Sequence, residues 1–513
     1  MVKNLTAMCA IAVIALVLYW PSLELDFVYT WDDAAYVTNN PLVVREAPID
    51  LQHIFLSAVN QVYSPLTILS FAVEAKLFGA SPFFYHLNNV LLHLFVCLLL
   101  FWLAVKIGLS VPGAFFSAVL FAVHPMHVES VAWISERKDV LYAAFYLLAL
   151  LQYVAFVKTS KKKWFYLSVF FGLCGMLAKP MALSLPLIML LLDWFLMRPL
   201  SWGARIKEKA VYCLYIIPLA LCSFWSLGST AGDPLSKVLL WVFSFVFYIK
   251  KFFFPDVFLP HYALAEPVVL GHPAYMGSLL LGAVFIYSII RYRHSRWFLF
   301  AWLYYFCSIF FLFRTTNVLS VQNVANLSQV ADRFMYLPSA GFCLWLGYLA
   351  QKSLKGSARK IMPFVLVLIV IFLGWRASCQ MLVWKNDTTL WKHAIRHAPQ
   401  DPLGYINRGL GYEKRGQYDL AILDDTLAMQ KNSGAYVSDL AAQFPQLNDT
   451  QLAHANAVNA LLLNNPYYVA ALRNRARAYY AKKDMMAARA DCDAVLAINP
   501  QDKPAFCKGK MRP

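Results

Sequence analysis

A chain of 513 residues that is 60% hydrophobic and only 14% charged, with a mean hydropathy of +0.54, is not a soluble globular protein. Its 45 Lys and Arg against 28 Asp and Glu give a net charge of +17, which would suggest a nucleic acid partner were it not for where the charge lies. Lys3, Lys106, "KTSKKK" (158 to 163), "RPLSWGARIKEK" (198 to 209), "RYRHSR" (291 to 296) and "QKSLKGSARK" (351 to 360) hold 17 Lys or Arg against one acid, Glu208, all beside apolar runs. The positive-inside rule accounts for that distribution, so no nucleic acid is expected.

The apolar runs approach or exceed the ~17 to 25 residues that a helix needs to cross hydrocarbon. The first, 5 to 22, reads as a retained span, because no small-x-small cleavage pattern follows it. It leads to an outer loop, 23 to 84, that carries Asp32 and Asp33 in "TWDDAAY". Further spans are expected at 86–107, 111–125, 140–157, 164–178, 182–197, 210–228, 274–290, 297–313, 335–350 and 361–378, giving about eleven. "KVLLWVFSFVFYIKKFFFP" (237 to 255) is apolar enough to span, but counting it would put "RYRHSR" on the wrong side of the membrane. An interfacial helix on the outer face restores the parity. Cys9, Cys97, Cys174, Cys222, Cys307 and Cys343 lie in apolar runs as small core residues; Cys492 and Cys507 lie in the polar C-terminal part, paired or as two free thiols.

From about residue 385 the chain turns polar and alanine-rich, dividing it into a membrane part, 1–384, and an extracytoplasmic part, 385–513. Tyr405, Gly409, Tyr412, Ala421 and Ala428 occupy the aromatic and small positions of a tetratricopeptide (TPR) unit, and Leu472, Ala476, Tyr479, Ala488 and Pro500 repeat them. The two starts, 402 and 469, are 67 residues apart, about twice the ~34-residue period, so a degenerate unit is expected between them. With "NDTTLWKHAIRHAPQ" upstream as a second helix, the α-solenoid comes to about three and a half units.

Polar residues are costly in a membrane and mark function. On this topology Asp32, Asp33, His124, His127, Glu129, Glu136, Arg137, Asp139, Lys179, Asp332, Arg333, His261 and Tyr262 gather on the outer side. Each also has a plainer explanation. The acidic pair can cap a short helix, the 136–139 charges can flank a membrane, and His124, His127 and Glu129 can be hydrogen-bonded wall residues or the start of a divalent metal site. Taken together, they supply a carboxylate base, cations for a phosphate and a membrane groove for a lipid. The reaction needing all three is sugar transfer from a polyprenyl phosphate to an acceptor hydroxyl. Gly-rich nucleotide loops are missing from the sequence, and no soluble cofactor is required.

"WDD..YVTNNPLV", "YSPLTILSFAVEAKLFGASPFFYHLNNVLLHL", "FAVHPMHVESVAWISERKDVL", "LAKPMALSLPLIMLLLDW" and "VADRFMYLPSAGF", in that order and followed by TPRs, resemble the TMTC-type family of GT-C glycosyltransferases and its bacterial relatives. The resemblance implies an all-α polytopic GT-C fold, a polyprenyl-phosphate donor carrying mannose or another hexose, and TPRs that recognise a protein acceptor. It also implies a catalytic base within Asp32/Asp33. Lys179, Arg333 and Arg137 are expected on the donor phosphate, with the remaining polar residues lining the pocket. A bacterial inner-membrane protein with a cytoplasmic N-terminus and periplasmic TPRs is expected, its short array casting doubt on a wide acceptor groove. The competing expectation is a non-enzymatic TPR scaffold for envelope or pilus assembly.

Overall fold

The computed structural model describes residues 2–45, 48–60, 62–225, 234–263, 265, 267–312, 330–443 and 466–498. Each expected apolar run coincides with a helix: α1 (Val2–Tyr19), α4 (Pro82–Lys106), α5 (Val111–Val123), α7 (Arg137–Thr159), α8 (Lys162–Ala178), α9 (Leu185–Phe195), α10 (Trp202–Trp225), α11 (Pro234–Phe253), α12 (Pro273–Arg291), α13 (Arg296–Ile309), α14 (Ser339–Ser353) and α15 (Met362–Val383). Between α1 and α4 the outer loop forms α2 (Leu51–Leu56) and α3 (Pro65–Phe78), and α6 (Val128–Ala132) precedes α7. Among the described residues the only β contact is a single bridge between Val59 and Val62. Proline stands in the first turn of α3, α4, α5, α9, α12 and α15, where its missing N–H costs nothing and its fixed φ starts the helix.

Fewer of these helices are full-length spans than the eleven expected. By length and composition five described stretches can cross a membrane: Val2–Glu24, Pro82–Lys106, Ile134–Thr159, Pro273–Arg291 and Met362–Val383. The pair Val111–Val123 and Pro125–Ala132, bent by 53°, would make a sixth. Apolar windows run on through turns that helices do not. The window 182–197, for example, divides into a 3₁₀ turn at Pro180–Ser184 and the 11-residue α9.

The bundle has two chemically distinct ends. At one, Lys158 Nζ donates to Lys106 O (2.6 Å), the Ser110 hydroxyl to Gln351 Oε1 (2.7 Å) and Arg296 to Trp194 O (2.9 Å), so the basic loops meet. The 23 residues of α7 carry the chain from there, ~35 Å at 1.5 Å per residue, to the end that holds the acidic residues. Near the basic end α5 and α14 cross at Gly113 and Gly347, where a Cβ on either would strike the other helix. The helix α11 keeps to the acidic end: Trp241 packs on Phe306, Phe245 on Tyr305, and Phe252 stacks on His124. These contacts fit a helix lying across that end, and α11 is not among the stretches able to span.

The segment from His124 to Asp139, expected at the outer surface, is instead wholly buried. Proline at 125 cannot continue the helical hydrogen bonding of α5, so the chain bends and folds inward as short turns beneath the outer loop. A row of tryptophans then ties the layers together. Trp384 stacks on Trp133 (5.3 Å between centroids), Trp133 meets Trp31 (6.2 Å) and Trp31 meets Trp391 edge-on (5.2 Å).

The C-terminal part is helical: α16 (Asp387–His397), α17 (Pro402–Lys414), α18 (Tyr418–Gln443), α19 (Pro466–Ala481) and α20 (Met485–Ile498). Two equivalent hairpins are evident. Arg408 forks onto Asp424 (2.7 and 2.8 Å) in the first, and Arg475 onto Asp491 (2.8 and 2.7 Å) in the second, at the same 67-residue displacement. The expected degenerate unit does not separate them. Arg477 of α19 forks onto Glu413 of α17 (2.6 Å twice) and Arg475 reaches Thr426 of α18 (3.2 Å), so the second hairpin sits directly on the first. The helix α18 runs from Tyr418 to Gln443 without a break at 431–432, where no Gly or Pro stands. Cys507, Pro500 and most of the middle unit lie outside the described residues, as does the side chain of Cys222.

Candidate active site

The two adjacent aspartates do different things. Asp33 is fully buried, accepting from Val28 N (2.8 Å) with one oxygen and from both Ser135 N (2.9 Å) and the Ser135 hydroxyl with the other. It fastens the outer loop to the buried turn before α7. Burial pushes its carboxyl up to about 7 against the pull of those donors, with a smaller upward contribution from Asp32. Asp32 faces outward, its side chain 27% exposed. One oxygen accepts from Asn60 Nδ2 (2.8 Å) and the other stands 3.9 Å from Lys138 Nζ. Asn60 reaches it from a left-handed backbone conformation (φ +47°), which Asn tolerates better than most residues.

Beneath Asp32, Glu136 is the meeting point of three cations. Its carboxylate lies 3.3 Å from Lys138 Nζ, 3.2 Å from Lys179 Nζ and 3.4 Å from Arg333 Nε. Lys179 also contacts Asp139 Oδ1 (2.6 Å), whose other oxygen accepts from Ser130 (3.0 Å). Glu129 holds Arg333 through both its backbone N–H (3.0 Å) and its guanidinium (2.7 Å). Arg333 lies against the Trp133 and Phe334 rings and keeps 19% of its side chain exposed. Next to it Asp332 accepts from the Tyr262 hydroxyl (2.7 Å); burial, then the Glu129 charge, pushes its carboxyl up to about 8. His261 Nε2 stands 3.6 Å from Asp401, and burial holds its imidazole below the usual range.

Asp32, Glu129, Glu136, Asp139, Lys179 and Arg333 are therefore assembled as the sequence led us to expect, from four separate segments. The placement of one residue departs from expectation, and two open alternatives are narrowed. Arg137 does not reach the cluster: its guanidinium is buried with Glu74, Asn89 Oδ1 (2.8 Å) and Tyr85 O (2.8 Å), its face over Phe71 (4.5 Å). Its neighbour Lys138 takes the place assigned to it, because consecutive helical residues point ~100° apart. The two histidines are wall residues. His124 bonds Phe252 O (3.0 Å) and Met126 N (3.3 Å), His127 bonds Phe121 O (2.7 Å) and Ser339 Oγ (2.8 Å), and all four nitrogens are engaged. Among the described residues no three His, Cys, Asp or Glu side chains are placed to hold a metal ion. Asp33, third, is held as a latch away from the open face that Asp32 occupies.

Residues 64–227 match the family model described as dolichyl-phosphate-mannose-protein mannosyltransferase. The mouse protein O-mannosyl-transferase TMTC1 is 36% identical over 198 residues, covering 34% of this chain and 21% of that protein. A Caenorhabditis elegans protein O-mannosyl-transferase, F38B6.6, is 26% identical over 448 residues, covering 80% and 60%. Mouse TMTC4 is 24% identical over 494 residues, covering 81% and 65%. The chain is a relative of the TMTC-type GT-C glycosyltransferases. It spans between 21% and 65% of the length of these three TMTC-type proteins. The segment matched by the family model contains the Glu129–Asp139 stretch and Lys179, from which the buried part of the cluster comes, and also Glu74, the partner of Arg137, while Asp32 and Arg333 lie outside it.

Reading the sequence alone missed Lys138, Asn60 and Glu74. Lys138 had a signal, since "ERKD" offers two cations in one helical turn and only one can face a given side. Asn60 and Glu74 had none, because their partners are 28 and 63 residues away.

Proposed function

We propose that this TMTC-type relative is a glycosyltransferase that moves a hexose, with mannose the first candidate, from a polyprenyl-phosphate donor to a hydroxyl of a protein acceptor. The observation that carries the reading is the partly exposed Asp32 carboxylate standing 3.9 Å from Lys138, one of three cations, with Lys179 and Arg333, that converge on Glu136. A donor phosphate brought to that edge would share the cations with Glu136. Asp32 takes the acceptor hydroxyl proton as its oxygen attacks the anomeric carbon; the bond from that carbon to the phosphate oxygen breaks, and the lipid phosphate leaves with the electron pair. Lys138, Lys179 and Arg333 stabilise the charge that gathers on it. A single displacement of this kind inverts the anomeric centre.

Two features support an extracytoplasmic site, in our reading the periplasmic face of a bacterial inner membrane. The basic loops meet at the end of the bundle away from the cluster. Cys492, in the TPR part, is disulfide-bonded, as is usual in oxidising compartments. The reading is tested by supplying a synthetic polyprenyl-phosphate hexose and a Ser/Thr peptide to the purified protein and following the added hexose mass. Transfer by the wild type and none by Asp32→Asn is the expected result. No transfer by the wild type, with cellular function unaffected by Asp32→Asn and lost on removing 385–513, would favour the scaffold; wild-type transfer retained in Asp32→Asn would refute Asp32 as the base.

A further inference from the structure

The acidic loop is held from both sides, and one of the two hands belongs to the TPR module. Asp387, in the first turn of α16, accepts with a single oxygen from Thr30 N (2.8 Å) and from the Thr30 hydroxyl (2.5 Å). Trp391, one turn later, donates its indole N–H to that same hydroxyl oxygen (2.7 Å) and packs its ring against Trp31. Thr30, Asp387 and Trp391 are all buried. Asp387 is not needed to start its own helix, because Asn386 is the N-cap and forms a reciprocal capping box with Thr389. Its carboxylate is thus left to the loop. The contact is close: a Cβ on Gly411 of α17 would meet Asp387 and Thr30 at 3.3 and 3.7 Å. Lys414 of α17 adds a bond to Tyr29 O (2.9 Å), and Asp26 N bonds Lys385 O (3.0 Å). Two residues after Thr30 comes Asp32.

A module serving only to capture an acceptor has no reason to bury a carboxylate and an indole against the loop that bears the general base. We propose that Asp387 and Trp391 are positioning residues: they fix Thr30 and Trp31 and, through them, the place of Asp32, so that the TPR module sets the rate of transfer as well as the choice of acceptor. This rests on the glycosyltransferase reading for its kinetic consequence, while the clamp itself can be measured without it. Small displacements of a reacting group are costly, and a shift of ~1 Å is enough for about a hundredfold. The latch at Asp33 holds the loop from below, so loss of Asp387 should misplace Asp32 without releasing the loop altogether.

The test uses the full chain in lipid nanodiscs. Asp387→Ala is expected to lower kcat by about tenfold or more while the KM for a Ser/Thr peptide changes by less than about twofold. Asp387→Asn, whose amide oxygen still accepts from Thr30, should restore most of that loss, and Trp391→Phe, which keeps the ring and removes only the N–H, should fall between. Amide exchange of residues 28–38 should quicken in Asp387→Ala while that of 402–414 is unchanged, separating a loosened loop from an unfolded module. Equal losses in Asp387→Ala and Asp387→Asn, a raised KM at constant kcat, or unchanged exchange of 28–38 would each overturn the proposal. If the wild type transfers no sugar, the functional reading fails, and the exchange measurement alone decides the clamp: quickened exchange upholds it and unchanged exchange refutes it.

Discussion

Replacing Asp33 by Asn tests whether the paired acids have separate roles. Asp33 accepts three hydrogen bonds on two oxygens, from Val28 N, Ser135 N and the Ser135 hydroxyl, in a fully buried site. An amide offers one oxygen and one NH₂. With its oxygen toward Ser135 it keeps two of these bonds, but its NH₂ then faces the Val28 N–H at 2.8 Å, leaving a buried donor unmatched. Such a loss costs about 1–3 kcal/mol, which corresponds to loop opening roughly 5- to 150-fold more frequent. Asp32→Asn should be different in kind. Its side chain is partly exposed and takes one hydrogen bond, from Asn60, so stability should change by about 0.5 kcal/mol or less. Removing the proton acceptor should cost about 10²- to 10⁴-fold in transfer. Hexose transfer to a peptide, followed by mass spectrometry, is compared with thermal unfolding and with amide exchange across residues 28–36. An inactive Asp33→Asn with wild-type exchange, beside an active Asp32→Asn, would refute the assignment and exchange the two roles.

Other outcomes follow from the same geometry. Arg137→Ala should cost about 3–5 kcal/mol in detergent unfolding, because Glu74 stays buried without its partner, and Arg137→Met combined with Glu74→Leu should recover much of that; a small loss of stability with a large loss of transfer would return Arg137 to the site. Lys138→Met removes the ammonium that stands 4.0 Å from the Tyr36 ring centroid and 3.3 Å from Glu136, so transfer should fall about 10- to 100-fold, while Glu136 keeps Lys179 and Arg333 as partners. The latch should also respond to pH. Between the ordinary value of 3.8 and about 7 the folded Asp33 holds a proton that the released loop gives up, so the latch weakens as pH rises across that window and is level above it. Exchange of 28–36, corrected for its intrinsic pH dependence, should therefore quicken from pH 5 to 7, and Asp33→Asn should abolish that trend.

Much of this molecule was legible from residue order alone. Apolar run length located the long helices of the membrane part, though not the short α2, α3 and α6, and the clustering of Lys and Arg in short loops separated the two ends of the bundle. The five motifs named the relatives that the comparisons then returned. These are local properties, carried by neighbours within a turn or two. What only the tertiary structure decided is which of two adjacent residues faces the site: Asp32 and not Asp33, Lys138 and not Arg137. It also decided that the second C-terminal helical hairpin sits directly on the first, and that α16 grips the acidic loop through a bond between residues 357 positions apart. In each case the deciding partner is remote in sequence, and a pattern read along the chain carries charge and polarity but not the direction in which a side chain is turned.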